Sequence, residues 1–365
     1  MTSMNPKPIN QIKRYPLRKN DLLQGWDSAD QLILDHMSKL NLAGKRILIL
    51  NDQFGALTCG LEGHDISTYT DSFVSYMGIL QNSEKRIQPL NDLNELSGIY
   101  DYVLIQMPKN MSFFEDILAH LTDHLHLDSQ IICGVMVKHQ AATSFDLLQK
   151  YIGNTSTSLA HKKARLIFAH FEKNEVIPSP YPQSINIDSF PTSFTNHSNL
   201  FSREKLDIGT RFFLEHIPKG DFKEILDLGC ANGIIGIKAK MNNPHANIHF
   251  SDESAMAIKS AKTNYSNYFE DQGHFYWTNC FENQKSSYLD LVLCNPPFHQ
   301  GNTIGDFIAY QMFQDAYHSL KKGGIIRVIG NSHLGYQVKL KKIFGNSQII
   351  ATNKKFMICN AAKSS

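Results

Sequence analysis

Asn295-Pro296-Pro297-Phe298 closes an apolar run, Leu289 to Cys294, and assembles what is needed to hold a planar amine. Proline fixes φ and has no N–H, so two in succession leave the local carbonyls as acceptors. The Asn295 side-chain oxygen and the Pro296 carbonyl can both accept from one –NH2 group, and Phe298 offers a flat apolar face to the ring carrying it. Two acceptors fix the direction of such an amine while its lone pair attacks an electrophile. Taken alone, the tetrapeptide is equally a proline-terminated strand running into a loop.

A place for the electrophile lies upstream. Glu224 to Gly236 reads as an apolar strand, a glycine-rich turn and a helix start. Gly229 and Gly233, with Cys230, Ala231 and Asn232 between them, let the backbone approach a ligand. The helix start offers unpaired N–H groups. The spacing is neither the G-x-G-x-x-G dinucleotide fingerprint nor the phosphate loop that ends in Gly-Lys-Ser/Thr. Asp227 argues for a ligand carrying positive charge or hydroxyls rather than a diphosphate. A second strand, residues 246–251, ends at Asp252, where an acid typically accepts from a ribose diol. A third, residues 275–278, ends at Asn279, whose amide could pair with an adenine edge. Singly, Asp252 reads as a helix cap and Asn279 as a turn former. In this order they outline a nucleoside site facing the Asn-Pro-Pro-Phe loop.

The Asp227–Gly233 loop, Asp252 and Asn295–Phe298 together resemble the motifs of Rossmann-like S-adenosylmethionine-dependent methyltransferases. The resemblance implies that the loop holds the methionine part of the cofactor, that Asp252 binds the ribose and that Asn279 lies near the adenine. Asn295 and Pro296 would orient an exocyclic nitrogen of adenine, cytosine, guanine or a glutamine side chain.

These motifs need a sheet, and the chain is long enough for two. At 365 residues, with 42% hydrophobic and 19% charged residues, it suits a two-domain globular protein. Net charge is +2 but uneven: residues 1–190 hold 17 Lys+Arg against 20 Asp+Glu, net −3, and residues 191–365 hold 19 against 14, net +5. That mild bias suits an anionic partner. The six cysteines are scattered without a C-x-x-C pair, which suggests neither a zinc site nor a disulfide framework. No apolar leader and no bilayer-length run is visible, so the expected setting is the cytoplasm, with no membrane partner and no metal.

The first half echoes the second. Lys45–Leu57 has the strand–turn–helix rhythm of Ile225–Ile235, Ser67–Ser72 parallels His249–Ser254, and Tyr102–Lys109 parallels Leu291–Phe298. Duplication is the economical reading, against the alternative that any two α/β domains share such a rhythm. The copy keeps one glycine in its turn, with Phe54 beside it, and has neither Pro-Pro nor an aromatic after Gln106. The expectation is an α/β chain of two tandem Rossmann-like methyltransferase domains. Residues 1–180 form the degenerate copy, used for substrate recognition or stability and binding no S-adenosylmethionine; residues 181–365 are catalytic. Val176–Pro182, with three prolines, is the expected semi-rigid linker. Phe201–Arg211 reads as a lid over the cofactor with Asp207 and Thr210 at its working end, leading into a helix through Ile217; equally, Asp207 could cap that helix. Leu320–Gly330 reads as a helix end, a glycine turn and a strand, and two final strands, residues 348–352 and 355–359, turn at Asn353-Lys354.

Leu48–Leu57, His161–Leu166, Leu206–Phe213, Asn295–Gln300 and Leu340–Asn346 with Ala351–Phe356 closely resemble the bacterial ribosomal RNA large subunit methyltransferase G family, nearly end to end. The resemblance implies a mostly parallel seven-stranded catalytic sheet with a reversed last strand. It also implies methylation of guanine N2 at one site of 23S rRNA, with S-adenosylmethionine as donor and no DNA partner. The 16S rRNA counterpart shares the plan. A protein-glutamine methyltransferase would favour Tyr at 298 and a helical front domain, and a non-catalytic RNA-binding assembly factor would have lost Asp227, Asp252 and Asn295. His161–Arg165, Lys339–Lys342 and Lys354-Lys355 could meet phosphates or be solvated faces.

Overall fold

The computed structural model describes residues 6–17, 22–172, 176–297 and 303–364 (backbone alone at 303–306), and the chain divides into two compact units, Met1–Tyr181 and Pro182–Ser365. In the first, β1 (Arg46–Leu50), β2 (Asp65–Tyr69), β3 (Tyr100–Gln106), β4 (Leu125–Met136), β5 (Thr155–Thr157) and β6 (Ala164–His170) form one sheet in the order β2-β1-β3-β4-β6-β5. The first four run parallel, and β6 is antiparallel to both of its neighbours. Five helices flank them: α1 (Ser28–Met37), α2 (Ala56–Gly60), α3 (Phe73–Asn82), α4 (Met111–Leu121) and α5 (Thr143–Tyr151).

In the second unit a small hairpin of β7 (Gln183–Ile185) and β8 (Phe194–Asn196) precedes α6 (Ile208–Leu214). Then follow β9 (Glu224–Leu228), α7 (Ile234–Asn242), β10 (Asn247–Asp252), α8 (Ala255–Tyr268), β11 (His274–Trp277), β12 (Leu289–Cys294), α9 (Thr303–Ser319), β13 (Leu320–Asn331), α10 (Tyr336–Phe344), β14 (Gln348–Thr352) and β15 (Phe356–Ala362). The seven-stranded sheet runs β11-β10-β9-β12-β13-β15-β14, parallel except for β15, which opposes both β13 and β14. Its central strands β9 and β12 are mostly apolar on both faces because helices cover both sides. Alternate residues serve opposite cores: Ile225, Leu291 and Leu293 point to one, and Leu226, Leu228, Val292 and Cys294 to the other. Asp227 therefore falls on the face of Ile225, wholly buried.

The two strand orders match term by term, β2-β1-β3-β4-β6-β5 against β10-β9-β12-β13-β15-β14, as a duplication leaves them. The outer strand β11 has no full counterpart in the first unit. In its place, within the stretch 81–97 that shows little pattern in the sequence, Leu90 makes a single bridge to Tyr69 beside β2.

Two local expectations change. Leu320-Lys321-Lys322 is not a helix end: α9 stops at Ser319, and Leu320 already pairs with Leu289, with Gly323 (φ 77°) absorbing the register shift before Leu291 pairs with Ile325. Pairing between strands overrides the helix preference of Leu and Lys there. The helix expected to reach Ile217 ends at Leu214. Residues 176–182 carry no regular element, but Ser179 Oγ donates to Asp116 (2.6 Å) and Tyr181 OH to Glu115 (3.1 Å), so α4 pins the segment.

Candidate active site of the second unit

The glycine-rich turn between β9 and α7 is built from left-handed residues: Gly229 (φ 76°), Ala231 (φ 48°) and Gly233 (φ 82°). Its start is tied to β10, because the N–H groups of Gly229 and Cys230 both donate to the Ser251 carbonyl at 2.9 Å. Asp252 holds the strained Ala231: one carboxylate oxygen accepts from the Ala231 N–H (2.9 Å) and the other from Ser254 N–H (3.0 Å). The Glu253 backbone N–H also bonds this carboxylate, so three of its four lone-pair sites are met within the protein. Gly233 opens α7, and a Cβ there would lie 3.1 Å from the Ala261 Cα of α8. Gly233→Ala is expected to lower stability by about 2 kcal/mol through left-handed strain and overpacking, read as a lower urea midpoint at unchanged slope.

Asp227 sits below the turn. One oxygen accepts from Gly236 N–H (2.8 Å), and the other is buried without a partner among the described residues. Burial, helped by the nearby negative charge of Asp252 and opposed by the Gly236 hydrogen bond, pushes its carboxyl up to about 7. A carboxylate with one oxygen unsatisfied in a dry site is costly unless something arrives to meet it.

Several residues of the turn and strand ends bond within the protein. The Asn232 amide nitrogen donates to Asn196 on β8 (3.0 Å), and its oxygen accepts from Ile234 N–H (3.3 Å), so it braces the turn against the small hairpin. Asn264 on α8 completes that brace, donating to the Asn232 and Thr195 carbonyls at 2.9 Å. No sequence spacing marks Asn196 or Asn264. Asn279 is nearly buried beyond β11 and donates to Glu282 (3.0 Å). Cys230 and Cys294 are buried thiols whose ionisation burial pushes well upward, which leaves them unreactive.

Asn295 follows the last residue of β12. Its amide nitrogen donates to Thr210 Oγ1 (3.1 Å), while its amide oxygen is buried and has no partner among the described residues. Thr210 is the third residue of α6, and Asp207 is that helix's N-cap, accepting from Thr210 N–H (2.9 Å) and, at 3.4 Å, from its hydroxyl. Sequence alone left Asp207 as either lid or cap; it caps, and through Thr210 it reaches Asn295, 85 positions from Thr210. Pro296 is buried and Pro297 exposed. Phe298 and His299 lie outside the described residues.

The same register exposes what the first unit has lost. Asn51 (φ 63°) takes the place of Gly229, its N–H bonding the Tyr69 carbonyl, and Gly55 (φ 89°) takes that of Gly233. Counting back along the strands, Ile49 stands for Asp227, Thr70 for Asp252 and Gln106 for Asn295. Phe54 packs over this turn against a cluster that contains Ile12, Ala56 and Cys59.

Comparison with known proteins agrees with this geometry. Residues 191–360 match the family model described as "Methyltransferase small domain", and residues 2–173 match "RLMG N-terminal domain". The chain is 39% identical over 371 residues to the ribosomal RNA large subunit methyltransferase G of Shewanella halifaxensis, covering 97% of this chain and 88% of that one. It is 40% identical to that of Erwinia tasmaniensis, with 96% of each covered. The chain belongs to the ribosomal RNA large subunit methyltransferase G family. It is thus a methyltransferase, and its fold is that of the T. thermophilus 16S rRNA N2 G1207 methyltransferase solved with AdoMet and guanosine (TM-score 0.78, 18% identity, 92% of both chains). Among the described residues no cluster of His, Cys, Asp or Glu could hold a metal, and no helix is long and apolar enough to cross a membrane.

Proposed function

We propose that this chain transfers a methyl group from S-adenosylmethionine to the exocyclic N2 of one guanine in 23S rRNA. The observation that carries the chemistry is the Asn295 amide: nitrogen pinned, oxygen buried and unmet. Thr210 has one hydroxyl proton; where the Asp207 carboxylate draws it, the hydroxyl oxygen is left to accept from Asn295. That relay fixes which end of the amide faces away from Thr210, and so presents an acceptor to an incoming –NH2. The Pro296 carbonyl is the second acceptor in this reading, and Phe298 the surface on which the purine stacks. With its two hydrogens held, the amine's lone pair is directed at the methyl carbon. No strong base is required, because the nitrogen becomes acidic only after alkylation and then sheds its proton to water. RNA bases pair and stack, so the guanine comes from a loop or is swung out.

The donor site fits a cationic nucleoside: Asp227 offers a buried oxygen unmet among the described residues, Asp252 retains one lone-pair site, and Gly229 and Ala231 hold the turn open in left-handed conformations. When bound, S-adenosylmethionine supplies an electrophilic methyl on a sulfonium. Asp227 with Gly229, Cys230, Ala231 and Gly233 would hold its methionine part, Asp252 its ribose and Asn279 the neighbourhood of its adenine, with Asn232 keeping the turn in shape.

Asp227 makes binding depend on pH. With its carboxyl raised to about 7, the free protein carries a proton there below neutrality, and that proton opposes a cationic ligand. Affinity for S-adenosylmethionine is therefore expected to fall as pH drops through 7, approaching about ten-fold per unit. Calorimetry between pH 5.5 and 8.5 checks this, and Asp227→Asn should flatten the profile. The same group favours the folded free protein at low pH, a contribution lost as pH rises from the unfolded value near 4 through about 7.

The deciding experiment is transfer of label from S-adenosylmethionine to protein-free 23S rRNA lacking the modification, beside 16S rRNA and a release-factor protein, followed by digestion. Label in N2-methylguanosine from 23S alone is expected. Label only in 16S, or only in protein, overturns the substrate assignment.

A further inference from the structure

Asn331 is the last residue of β13, the strand beside β12, and its amide oxygen is buried with no partner among the described residues. Cys294 pairs with Val328, so Asn295 comes level with Ile329, and Asn331 stands two residues further out. Successive strand residues alternate in face, so Asn331 shares a face with Ile329, and Asn295 shares one with Leu293. Ile329 and Leu293 belong to one core, together with Phe213 and Leu214 of α6 and with Phe356. Both asparagines therefore lie on the face that α6 covers, and Asn295 bonds that helix through Thr210.

α6 runs along this face and fixes the neighbourhood. Its far end lies by Arg327, whose guanidinium donates to the His216 carbonyl. Its start lies by Phe356, where a Cβ on Gly209 would come 2.9 Å from the ring. Phe356 is the residue that pairs with Asn331 across β13 and β15. Asn331 thus stands between Phe356 and the end of β12, at the same end of α6 as Thr210. At about 3.3 Å per residue and about 4.8 Å between strands, the two asparagines are separated on the scale of a nucleobase edge.

The first unit carries the contrast. Gln106, which stands for Asn295, pairs with Gly134, so Met136 stands for Asn331. Each is the last residue of its strand, and each is followed by a one-turn 3-10 helix, Val137–His139 and Ser332–Leu334. The unit that lost Asp227, Asp252 and Asn295 has an apolar side chain here too.

Guanine N2 differs from the other amines this pocket could orient in what stands beside it. Its neighbour on the ring is N1–H, a donor. Beside the amine of adenine or cytosine is an unprotonated ring nitrogen, and beside that of glutamine a carbonyl oxygen, all acceptors. An amide oxygen next to the acceptors for the amine therefore meets a donor only when guanine is present. Any other substrate sets an acceptor against a buried oxygen and leaves both unpaired.

We infer that Asn331 is the residue that selects guanine, its amide oxygen accepting from guanine N1–H while the Asn295 oxygen and the Pro296 carbonyl take the hydrogens of N2. The inference rests on the methyl-transfer reading of Asn295 and adds to it the choice of base. It places no demand on the sequence around the target guanine.

The test uses the full chain and a ribosomal RNA segment carrying the guanine in which label is found, made once with guanine and once with 2-aminopurine at that position. 2-Aminopurine keeps the N2 amine and has a bare ring nitrogen in place of N1–H. kcat/KM is measured on both RNAs, with calorimetry of S-adenosylmethionine and the thermal midpoint as checks on folding. The wild type is expected to prefer guanine by at least ten-fold, since a site built to meet a donor rejects the analogue that lacks it. Asn331→Ala should slow the guanine RNA about ten-fold and leave the 2-aminopurine RNA within two-fold, erasing most of that preference. Asn331→Asp keeps an acceptor and should keep the preference, and Asn331→Ser, polar but too short to reach, should follow alanine. Equal slowing of both RNAs by Asn331→Ala overturns the inference and leaves Asn331 a structural residue. A preference lost in Asn331→Asp as fully as in Asn331→Ala overturns it too, because the oxygen is then not the group that reads the base. Transfer by the wild type to adenine, cytosine or glutamine overturns it while leaving the Asn295 acceptor standing. If the wild type transfers to none of these, the methyl-transfer reading falls first and this inference with it.

Discussion

Asn295→Ala is expected to lower kcat by about 10²–10³ while leaving the affinity for S-adenosylmethionine within two-fold of wild type, where ~10² is the usual lower bound for losing one aimed transition-state partner. The asymmetry follows from the geometry. Asn295 bonds Thr210 through its nitrogen and, among the described residues, nothing through its oxygen, and the glycine-rich turn hangs from Ser251 and Asp252 instead. Removing the amide therefore takes away the acceptor meant for the substrate and leaves the turn in place. Asn295→Asp keeps an acceptor but places a second carboxylate near Asp207, so an intermediate rate is expected. Single-turnover methylation of 23S rRNA, paired with calorimetry of the cofactor, separates the two quantities. A near-wild-type rate in Asn295→Ala with cofactor bound would falsify the proposed role.

Thr210→Val should act one step removed. Valine keeps the shape of threonine and deletes the hydroxyl, so the Asn295 nitrogen loses its acceptor and the amide is free to turn over. Loss of a buried partner costs about 1–3 kcal/mol, and a kcat reduction of roughly ten-fold or more is expected, with KM for RNA little changed. Thr210→Ser restores the hydroxyl and should recover most of the rate. Recovery separates positioning from packing: if the serine variant loses as much as the valine variant, the hydroxyl alone does not restore the rate and its proposed role fails. Asp207→Asn weakens the draw on the hydroxyl proton and should fall between them, with an added cost of about 1 kcal/mol to the α6 cap.

Much of this architecture is legible in the residues, and the reasons are physical. The runs Leu289–Cys294 and Ile225–Leu228 are apolar except for one aspartate each, Asp290 and Asp227, because each strand is covered on both sides, and both were readable as strands. The order in which acid, glycines and Asn-Pro-Pro occur is the order of parallel strand ends. Contacts that join distant segments were not legible. Nothing local to Thr210 announces Asn295, and nothing in Asn232 says that it turns to Asn196 rather than to a ligand. Leu320-Lys321-Lys322 misled for the opposite reason, since a helix-favouring tripeptide was recruited into a strand by Leu289. The link from a helix cap to a strand-end amide recurs in the first unit, where Gln106 donates directly to Asp27, the N-cap of α1, at 3.2 Å. That repetition of Asp207, Thr210 and Asn295 without a threonine between was invisible until the register was known.

The lone bridge at Leu90 bears on what can be regained. The outer strand β11 meets β10 along four residues, His274 to Trp277, whereas the first unit keeps one contact, framed by hydrogen bonds of Leu90 with Thr68 and Thr70 (2.7 and 3.0 Å). Returning Ile49, Asn51, Thr70 and Gln106 to Asp, Gly, Asp and Asn would restore the side chains, but not the strand beside which Asn279 stands in the second unit. It would also bury a new carboxylate in an apolar core with nothing to meet it. Point substitution at these four positions therefore runs uphill. The first unit's departure from catalysis is thus a ratchet, set by an outer strand reduced to one bridge as well as by the side chains that differ.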